Sequence, residues 1–179
     1  PNFLIESGNE TEIKSASALI LPGVGAFPDA MKTLEEKGIA DIIKEKCEGG
    51  TPLLGICLGM QLLVDSSEEV AFTKGLGLIK GKCIKIADTG LKIPHMGWNQ
   101  VKDVQNHFLF NDIPDETDFY FVHSYFAKPE NVEDILGKTN YGLNFASVIG
   151  NAQVMGVQFH PEKSGKYGIQ LLDNYCKQV

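Results

Sequence analysis

The stretch Pro52-Leu53-Leu54-Gly55-Ile56-Cys57-Leu58-Gly59-Met60-Gln61-Leu62-Leu63 predicts a short buried strand, a sharp turn and a helix in direct succession. Its cysteine stands in the turn between two glycines, which is typical of the nucleophile in a strand–turn–helix elbow. The glycines are expected because the backbones crowd there, and a Cβ at Gly55 or Gly59 would clash. We also expect the helix N-terminus to favour the thiolate of Cys57 over the thiol. A cysteine taken at random is more often a small buried hydrophobe, but the flanking glycines favour a nucleophile.

A second motif supplies a general base. The run Gly156-Val157-Gln158-Phe159 predicts a strand, and His160-Pro161-Glu162 follows its end. A histidine at the end of a strand can reach a nucleophile that is distant in sequence. Glu162 can fix the tautomer of that histidine and offset its positive charge. Taken alone, His-Pro-Glu would more often be an exposed loop, but with the elbow it predicts a triad of Cys57, His160 and Glu162.

The rival candidate for the base is His123, which lies in the aromatic, strand-like segment 118–125. A histidine inside an aromatic strand is more often packed in the core or turned toward a partner. It also lacks a neighbouring carboxylate like Glu162. We therefore predict that His160, and not His123, is the base.

Composition narrows the class of protein. A chain of 179 residues suits one domain, and a hydrophobic content of 43% is ordinary for a globular protein. A formal charge of −7 without a Lys/Arg stripe argues against nucleic acid as a partner. The four cysteines have no Cys-x-x-Cys spacing, so no zinc or redox motif is predicted. The pattern predicts neither a signal peptide nor a membrane-spanning segment, and a reducing cytoplasm is expected because it fits a nucleophilic thiol.

Five stretches, spread over nearly the whole chain, resemble the class I (triad) glutamine amidotransferases, and most closely the glutaminase subunits of imidazole glycerol phosphate synthase. They are Leu21-Pro22-Gly23-Val24-Gly25-Ala26-Phe27, the Cys57 elbow with Gly59-Met60-Gln61, Pro94-His95-Met96-Gly97-Trp98-Asn99, Tyr120-Phe121-Val122-His123-Ser124-Tyr125, and His160-Pro161-Glu162-Lys163-Ser164. The elbow and His-Pro-Glu are typical of the superfamily. The Pro-Gly-Val-Gly and Met-Gly-Trp-Asn stretches point to the particular group of enzymes.

The resemblance implies a single α/β domain over residues 1–179, with three layers and an open mixed sheet flanked by helices, as in flavodoxin-like folds. The alternation of strand, loop and helix in the first half supports this prediction. Family members usually begin with a further strand and helix, which this sequence lacks, either because it is truncated or because those segments are absent. Residues 2–6 are then expected to form the first strand.

The remaining local patterns give further expectations. We predict a helix over residues 10–17, a buried strand over 18–21, and two helical pieces between 28 and 48 that are interrupted at Gly38. A short strand is expected over 77–81, a loop over 94–99, and a hairpin that turns at Gly150 and Asn151. The last helix, over 167–177, should turn Ile169, Leu172 and Tyr175 inward.

The chemistry that the resemblance implies is hydrolysis of L-glutamine. The Cys57 thiolate attacks the side-chain amide, His160 protonates the departing ammonia, and water then hydrolyses the glutamyl thioester. Backbone N–H groups of Gly25 and Leu58 form the oxyanion hole, although the loop glycines could also serve turn chemistry alone. No metal or organic cofactor is required. The ammonia passes to a separate synthase subunit, a (βα)8 barrel that forms a heterodimer with the glutaminase and makes imidazole glycerol phosphate in histidine biosynthesis.

The resemblance also implies which residues hold glutamine. Gln61 lies one helical turn from Cys57, where the alternative is an exposed helix glutamine. A carboxylate is expected on the substrate ammonium, and Glu69 has the matching spacing, with Glu68 beside it. The substrate-binding set is Gly23, Gln61, Glu69, Ser124 and Tyr125, the last two through their backbone.

A separate set of residues is expected to face the synthase partner. Trp98, the only tryptophan, stands among polar neighbours, which is typical of an interface anchor, although it could be core. The predicted interface set is Met96, Trp98, Asn99, Tyr120 and Lys163.

Two rival functions remain open at this point. One is a glutaminase that serves a different ammonia-dependent synthase, such as a sugar amidotransferase. The other is a docking scaffold without catalytic activity. The complete triad argues against the scaffold, because docking alone needs no thiol, imidazole and carboxylate at these positions.

Overall fold

The computed structural model describes residues 7–178, so the strand predicted over residues 2–6 lies outside the described residues. The helices and strands in chain order are α1 (Glu10–Ser15), β1 (Leu19–Leu21), α2 (Phe27–Glu36), α3 (Ile39–Glu48), β2 (Leu53–Ile56), α4 (Leu58–Leu62), β3 (Ser66–Ser67), β4 (Thr73–Lys74), β5 (Gly81–Lys85), β6 (His95–Val101), β7 (Thr117–His123), β8 (Tyr125–Pro129), β9 (Ile135–Asn140), β10 (Asn144–Asn151), β11 (Val154–Val157) and α5 (Gly165–Gln178). Short 3₁₀ turns begin at Phe108, Val132 and Pro161.

A mixed five-stranded sheet forms the middle layer, in the order β1-β2-β11-β10-β9. Strands β1, β2 and β11 are parallel, and β10 runs antiparallel to both β11 and β9. Leu53 and Leu54 are both fully buried although successive strand residues point to opposite faces. Both faces are therefore covered, which confirms the predicted three-layer α/β fold.

The two covering layers hold separate apolar clusters. The cluster around Leu53 includes Phe27 and Met31 of α2 and the apolar face of α3. The cluster around Leu54 includes Phe119 of β7 and Tyr175 of α5. Because β2 is buried between these clusters, the turn that follows it has a rigid support on both sides.

Two smaller sheets complete the architecture. Strands β4-β3-β5-β8 form one of them, and β6 and β7 form an antiparallel ladder. In that ladder His95 pairs with His123, and Trp98 pairs with Tyr120. The segment 94–99 is therefore mostly strand, and the predicted loop is wrong. Its side chains alternate between the protein interior and solvent, as strand geometry requires.

Most of the local predictions are confirmed, with three further corrections. Gly38 adopts φ +67 between α2 and α3, as expected for the interruption. The hairpin turn lies at Ala152 and Gln153, because Asn151 still pairs with Val154. Residues 77–80 form no strand, since N–H groups of Leu78 and Ile79 bond the Leu63 carbonyl after α4.

The last helix, α5, covers its predicted range, but one of the three inward residues is misplaced. Tyr175 is buried and Leu172 packs against the core, whereas Ile169 is 58% exposed. The buried stripe of α5 runs instead through Gly168 and Leu171. None of the helices within residues 7–178 is long and apolar enough to span a bilayer.

Candidate active site

The turn between β2 and α4 holds Cys57 in a sterically unfavourable backbone conformation, with φ 54 and ψ −109. Such a conformation persists only where the surroundings enforce it, and it is found at functional sites. A Cβ on Gly59 would lie 1.7 Å from the Leu21 carbonyl oxygen, and one on Gly55 would lie 2.7 Å from the Met60 nitrogen. The expected need for both glycines is therefore confirmed.

The Cys57 thiol is buried and has two weak polar contacts. Its sulfur lies 3.9 Å from the Val122 carbonyl oxygen, and the Gln158 amide donates to it at 3.7 Å. Burial raises the pKa of the thiol to about 11, against the lowering effect of the Leu58 N–H and the Gln158 amide. The Leu58 N–H at the start of α4 therefore favours the thiolate, as expected, but in the isolated chain the effect of burial is larger. Desolvation is the largest of the effects on this pKa, so the thiol is the favoured form in the isolated chain.

His160 and Glu162 are in direct contact. Nδ1 of the buried His160 lies 2.8 Å from Glu162 Oε1, and the Glu162 side chain is 48% exposed. The imidazole therefore carries its proton on Nδ1 and turns Nε2 into an acceptor. Among the buried side-chain nitrogens and oxygens of residues 7–178, Nε2 of His160 is the one without a hydrogen-bond partner. An unsatisfied buried acceptor is costly and is ready to take a proton.

Cys57 and His160 line the same cleft, of about 310 Å³. The cleft is also lined by Val24, Gly25, Leu58, Gln61, Glu69, Pro94, Val122, His123, Ser124 and Tyr125. In the part of the chain that the structure describes, the Cys57 sulfur is not hydrogen-bonded to His160. The cleft thus brings together every predicted catalytic and substrate residue except two. Glu162 stands behind His160, and Gly23 packs against Leu58, where a Cβ would meet the Leu58 Cβ at 3.2 Å.

Gln61 is buried at the base of the cleft, so the alternative of an exposed helix glutamine is wrong. Its Nε2 donates to the Tyr125 carbonyl at 2.7 Å and to Gln158 Oε1 at 3.1 Å. Both amide protons are therefore committed, and only the amide oxygen of Gln61 remains for a ligand.

Glu69, rather than Glu68, reaches the cleft. Its Oε2 accepts a hydrogen bond from the Phe27 N–H at 2.8 Å, in the first turn of α2. Glu69 therefore caps the helix that directly follows the glycine-containing loop 22–25. Gly25 in that loop has φ +103, a conformation that favours glycine.

The predicted interface residues lie at the surface around the β6–β7 ladder. Met96 and Trp98 are 61% and 58% exposed, so the alternative of a core tryptophan is wrong. The Trp98 ring meets Tyr120 edge to face at 6.1 Å between centroids. Asn99 is half-buried, and Lys163 is exposed beside the His160 turn. These residues form a mixed aromatic and polar surface.

Sequence reasoning missed Gln158, whose side chain is fully buried and donates to the Cys57 sulfur. The available signal was a glutamine within an apolar run, two residues before the predicted base. His123, the rejected base, is buried and bonded through Nδ1 to the Tyr125 carbonyl at 2.9 Å. Burial lowers its pKa to about 3, which supports the packed interpretation.

Comparisons with known proteins agree with this geometry. The family model described as "Glutamine amidotransferase class-I" matches residues 4–179. The chain is 52% identical over 168 residues to "Imidazole glycerol phosphate synthase subunit HisH" of Moorella thermoacetica, covering 94% of this chain and 80% of the relative. It is 50% identical to the protein of the same name from Methanosarcina barkeri, over 94% of this chain and 83% of the relative.

Solved structures support the fold at much lower identity. A crystal structure of a glutamine amidotransferase aligns with a TM-score of 0.72 at 18% identity, covering 95% of this chain and 85% of that one. The structure of PurLQS from Thermotoga maritima aligns with a TM-score of 0.66 at 18% identity, covering 89% of this chain and 79% of that one. By sequence and by fold, this chain belongs to the class-I glutamine amidotransferase family.

Proposed function

We propose that this protein is the glutaminase subunit of imidazole glycerol phosphate synthase and acts as a single domain over residues 1–179. It hydrolyses L-glutamine to glutamate and delivers the ammonia to a synthase subunit in histidine biosynthesis. The names of relatives at about half identity support the pathway. The observation that carries the chemistry is the unpartnered Nε2 of His160, held by Glu162 in the cleft that contains Cys57.

The first step forms a thioester. His160 Nε2 takes the proton of the Cys57 thiol while the sulfur attacks the amide carbon of glutamine. Backbone N–H groups of Gly25 and Leu58 stabilise the resulting oxyanion, and each such donor typically contributes ~3 kcal/mol. The carbon–nitrogen bond then breaks, and the imidazolium returns the proton to the departing ammonia.

The second step regenerates the thiol. Water loses a proton to His160 Nε2 and attacks the thioester carbon, so the sulfur leaves and takes that proton back. Glu162 keeps the imidazole in the Nδ1–H form and offsets its charge whenever Nε2 is protonated. No atom is oxidised or reduced in either step, and no metal or organic cofactor is needed.

Glutamine is held by groups that line the cleft or lie next to it. We assign the substrate ammonium to Glu69 and the substrate carboxylate to the backbone of Ser124 and Tyr125. The oxygen of Gln61 accepts from the substrate, because its amide protons are already committed. Gly23 contributes backbone beneath Leu58 rather than a lining surface.

The partner is a (βα)8-barrel synthase subunit in a heterodimer, docked on Met96, Trp98, Asn99, Tyr120 and Lys163. A thiol with a pKa of about 11 is almost fully protonated at neutral pH, which supports low activity in the isolated chain. We propose that partner binding rotates loop 22–25, so that a donor N–H turns toward the oxyanion. A reducing cytoplasmic setting suits the nucleophilic thiol.

A glutaminase assay with and without the barrel synthase and its ligand tests the proposal. We expect about 100-fold stimulation, which corresponds to ~2.7 kcal/mol of differential stabilisation. Cys57→Ala should abolish glutamate formation, whereas Cys47→Ala, the matched control at another buried cysteine, should not. A glutamine-analogue electrophile should label Cys57 alone.

The same assay separates the rivals. Stimulation only by an aminosugar synthase would replace the histidine pathway with the sugar amidotransferase alternative. The docking scaffold would be favoured if the protein bound its partner, formed no glutamate and was not labelled at Cys57 by the electrophile.

A further inference from the structure

We propose that His95 and His123 are positioning residues for the glutaminase site. They form a hydrogen-bond chain of fixed direction, which begins at Asn99 on β6 and ends at the carbonyl of Tyr125 in the cleft. The proposal rests on the proposed function, because it assigns these residues to a site that binds glutamine.

The direction of the chain follows from its last member. The Tyr125 carbonyl can only accept, so His123 carries a proton on Nδ1, 2.9 Å away. A neutral imidazole has one donor and one acceptor, and Nε2 of His123 is then the acceptor. His95 Nδ1 lies 2.9 Å from that Nε2 and must donate to it.

The same logic fixes the beginning of the chain. With its proton on Nδ1, His95 accepts through Nε2, and the Asn99 amide lies 3.2 Å from that nitrogen. The second amide proton of Asn99 goes to the Asn140 carbonyl at 2.9 Å, and its oxygen accepts from the Gln100 N–H at 2.8 Å. The orientation of the Asn99 amide is thereby set by three independent contacts.

The surroundings keep both rings neutral. His95 stacks on Tyr141 at 4.0 Å and on Phe121 at 4.8 Å between centroids, and both histidines are buried. Burial lowers the pKa of His95 to about 4 and that of His123 to about 3. A proton added to either Nε2 would remove an acceptor from the chain and set two donors against each other.

The hydrogen-bond chain is connected to the nucleophile, Cys57, through the carbonyl of Tyr125. Tyr125 also accepts from Gln61, and Gln61 donates to Gln158, whose amide donates to the Cys57 sulfur. The carbonyl of Tyr125 is therefore shared by two hydrogen-bond networks, one from the β6–β7 ladder and one from the Cys57 thiol. Loss of the histidine chain should loosen the backbone of Ser124 and Tyr125, which holds the substrate carboxylate, while the triad stays intact.

Nitrogen-15 NMR of the histidine side chains in the isolated protein tests the direction. At pH 7 we expect His95 and His123 to carry a proton on Nδ1 and none on Nε2. His107 is an internal control that should show the opposite tautomer. Its Nδ1 accepts from the Leu109 N–H at 3.4 Å, so its proton is on Nε2. A proton on Nε2 of His95 or His123 would overturn the proposal, whether or not the protein hydrolyses glutamine.

Kinetics of the complex with the barrel synthase test the positioning role. His95→Phe keeps the ring stacking and removes both polar atoms, so KM for glutamine should rise about tenfold. kcat should stay within about threefold, because the triad is untouched. His95→Asn keeps a donor near the Nδ1 position and should recover most of the lost affinity, while His107→Phe should change neither constant. A loss confined to kcat, or an equal loss in His95→Asn and His95→Phe, would contradict the proposal.

An isosteric variant covers the case in which His95→Phe fails to fold. Asn99→Asp replaces the donor to His95 with an acceptor, so Nε2 of His95 should gain a proton in the NMR spectrum and KM should rise. An unchanged spectrum and an unchanged KM would show that Asn99 does not belong to the hydrogen-bond chain, which would contradict the proposal. Absence of glutaminase activity in the unaltered complex would instead refute the proposed function and leave the tautomer result standing.

Discussion

His160 and His123 line the same cleft, but their bonding differs in one decisive respect. His160 is held by a carboxylate on Nδ1 and keeps Nε2 without a partner, whereas His123 uses both nitrogens, one on a carbonyl and one on His95. The comparison shows that proximity to the nucleophile does not identify the base. A base needs a nitrogen that is buried, available and backed by a negative charge.

The largest expected effect tests this comparison directly. His160→Ala should lower kcat of the complex by ~10²-fold or more, the usual contribution of general acid–base catalysis. His123→Ala should retain most of the turnover when ammonia is measured directly at saturating glutamine. The reverse ranking would assign the base to β7 and refute the proposed triad.

The two faces of β6 provide the next test. Trp98 is exposed on one face and His95 is buried on the other, so Trp98→Ala should act on the partner alone. We expect the affinity for the synthase to fall ~30-fold, equivalent to the ~2 kcal/mol of an interface anchor. Labelling of Cys57 in the isolated chain should not change. Loss of that labelling would place Trp98 in the structural support of the site instead.

The rate at which the Cys57 thiol is alkylated gives a smaller effect, which changes gradually with pH. Because the pKa of Cys57 is raised to about 11, its thiolate fraction increases throughout the range from pH 7 to pH 10. The rate of Cys57 alkylation, followed by peptide mass spectrometry, should rise about tenfold per pH unit. His160→Ala should leave this slope unchanged in the isolated chain, because His160 is not bonded to the sulfur. A rate that levels off near neutral pH would show that an ion pair already exists.

The smallest effect concerns acid stability. The pKa of His95 is lowered from 6.5 to about 4, so the unfolded chain binds more protons than the folded one as the pH falls below 6.5. The free energy of unfolding should therefore decrease from pH 6.5 to pH 4, by an amount on the order of 1 kcal/mol from this histidine. Denaturant titrations should show a smaller decrease in His95→Phe. An identical decrease in both proteins would mean that His95 is not neutral in the fold.

The elbow and the His-Pro-Glu turn could be predicted from sequence because each is a local motif. The glycines around Cys57 and the carboxylate two residues after His160 stand within a few positions of the residues they serve. Short-range sterics and hydrogen bonding fix such geometry, so a single stretch of sequence is enough to indicate it.

The histidine chain and the contact from Gln158 could not be predicted in the same way. His95 meets His123 only because β6 and β7 pair in one register, across a separation of 28 residues. The buried face of β6 also carries polar side chains, which hid the strand alternation and favoured a loop. The net pKa of the Cys57 thiol could not be predicted from sequence for a related reason, since the extent of its burial depends on the tertiary fold.

The close approach at Gly59 has a consequence for how freely the sequence can vary. A Cβ there would lie 1.7 Å from the Leu21 carbonyl oxygen, just before loop 22–25. The spacing between that loop and the nucleophile is thus set by two main chains in contact, independent of the side chains around them. A saturation library should accept only glycine at position 59 and tolerate exchanges among the apolar residues that surround the elbow. Substitutions among the core side chains should therefore leave the geometry of the site unchanged.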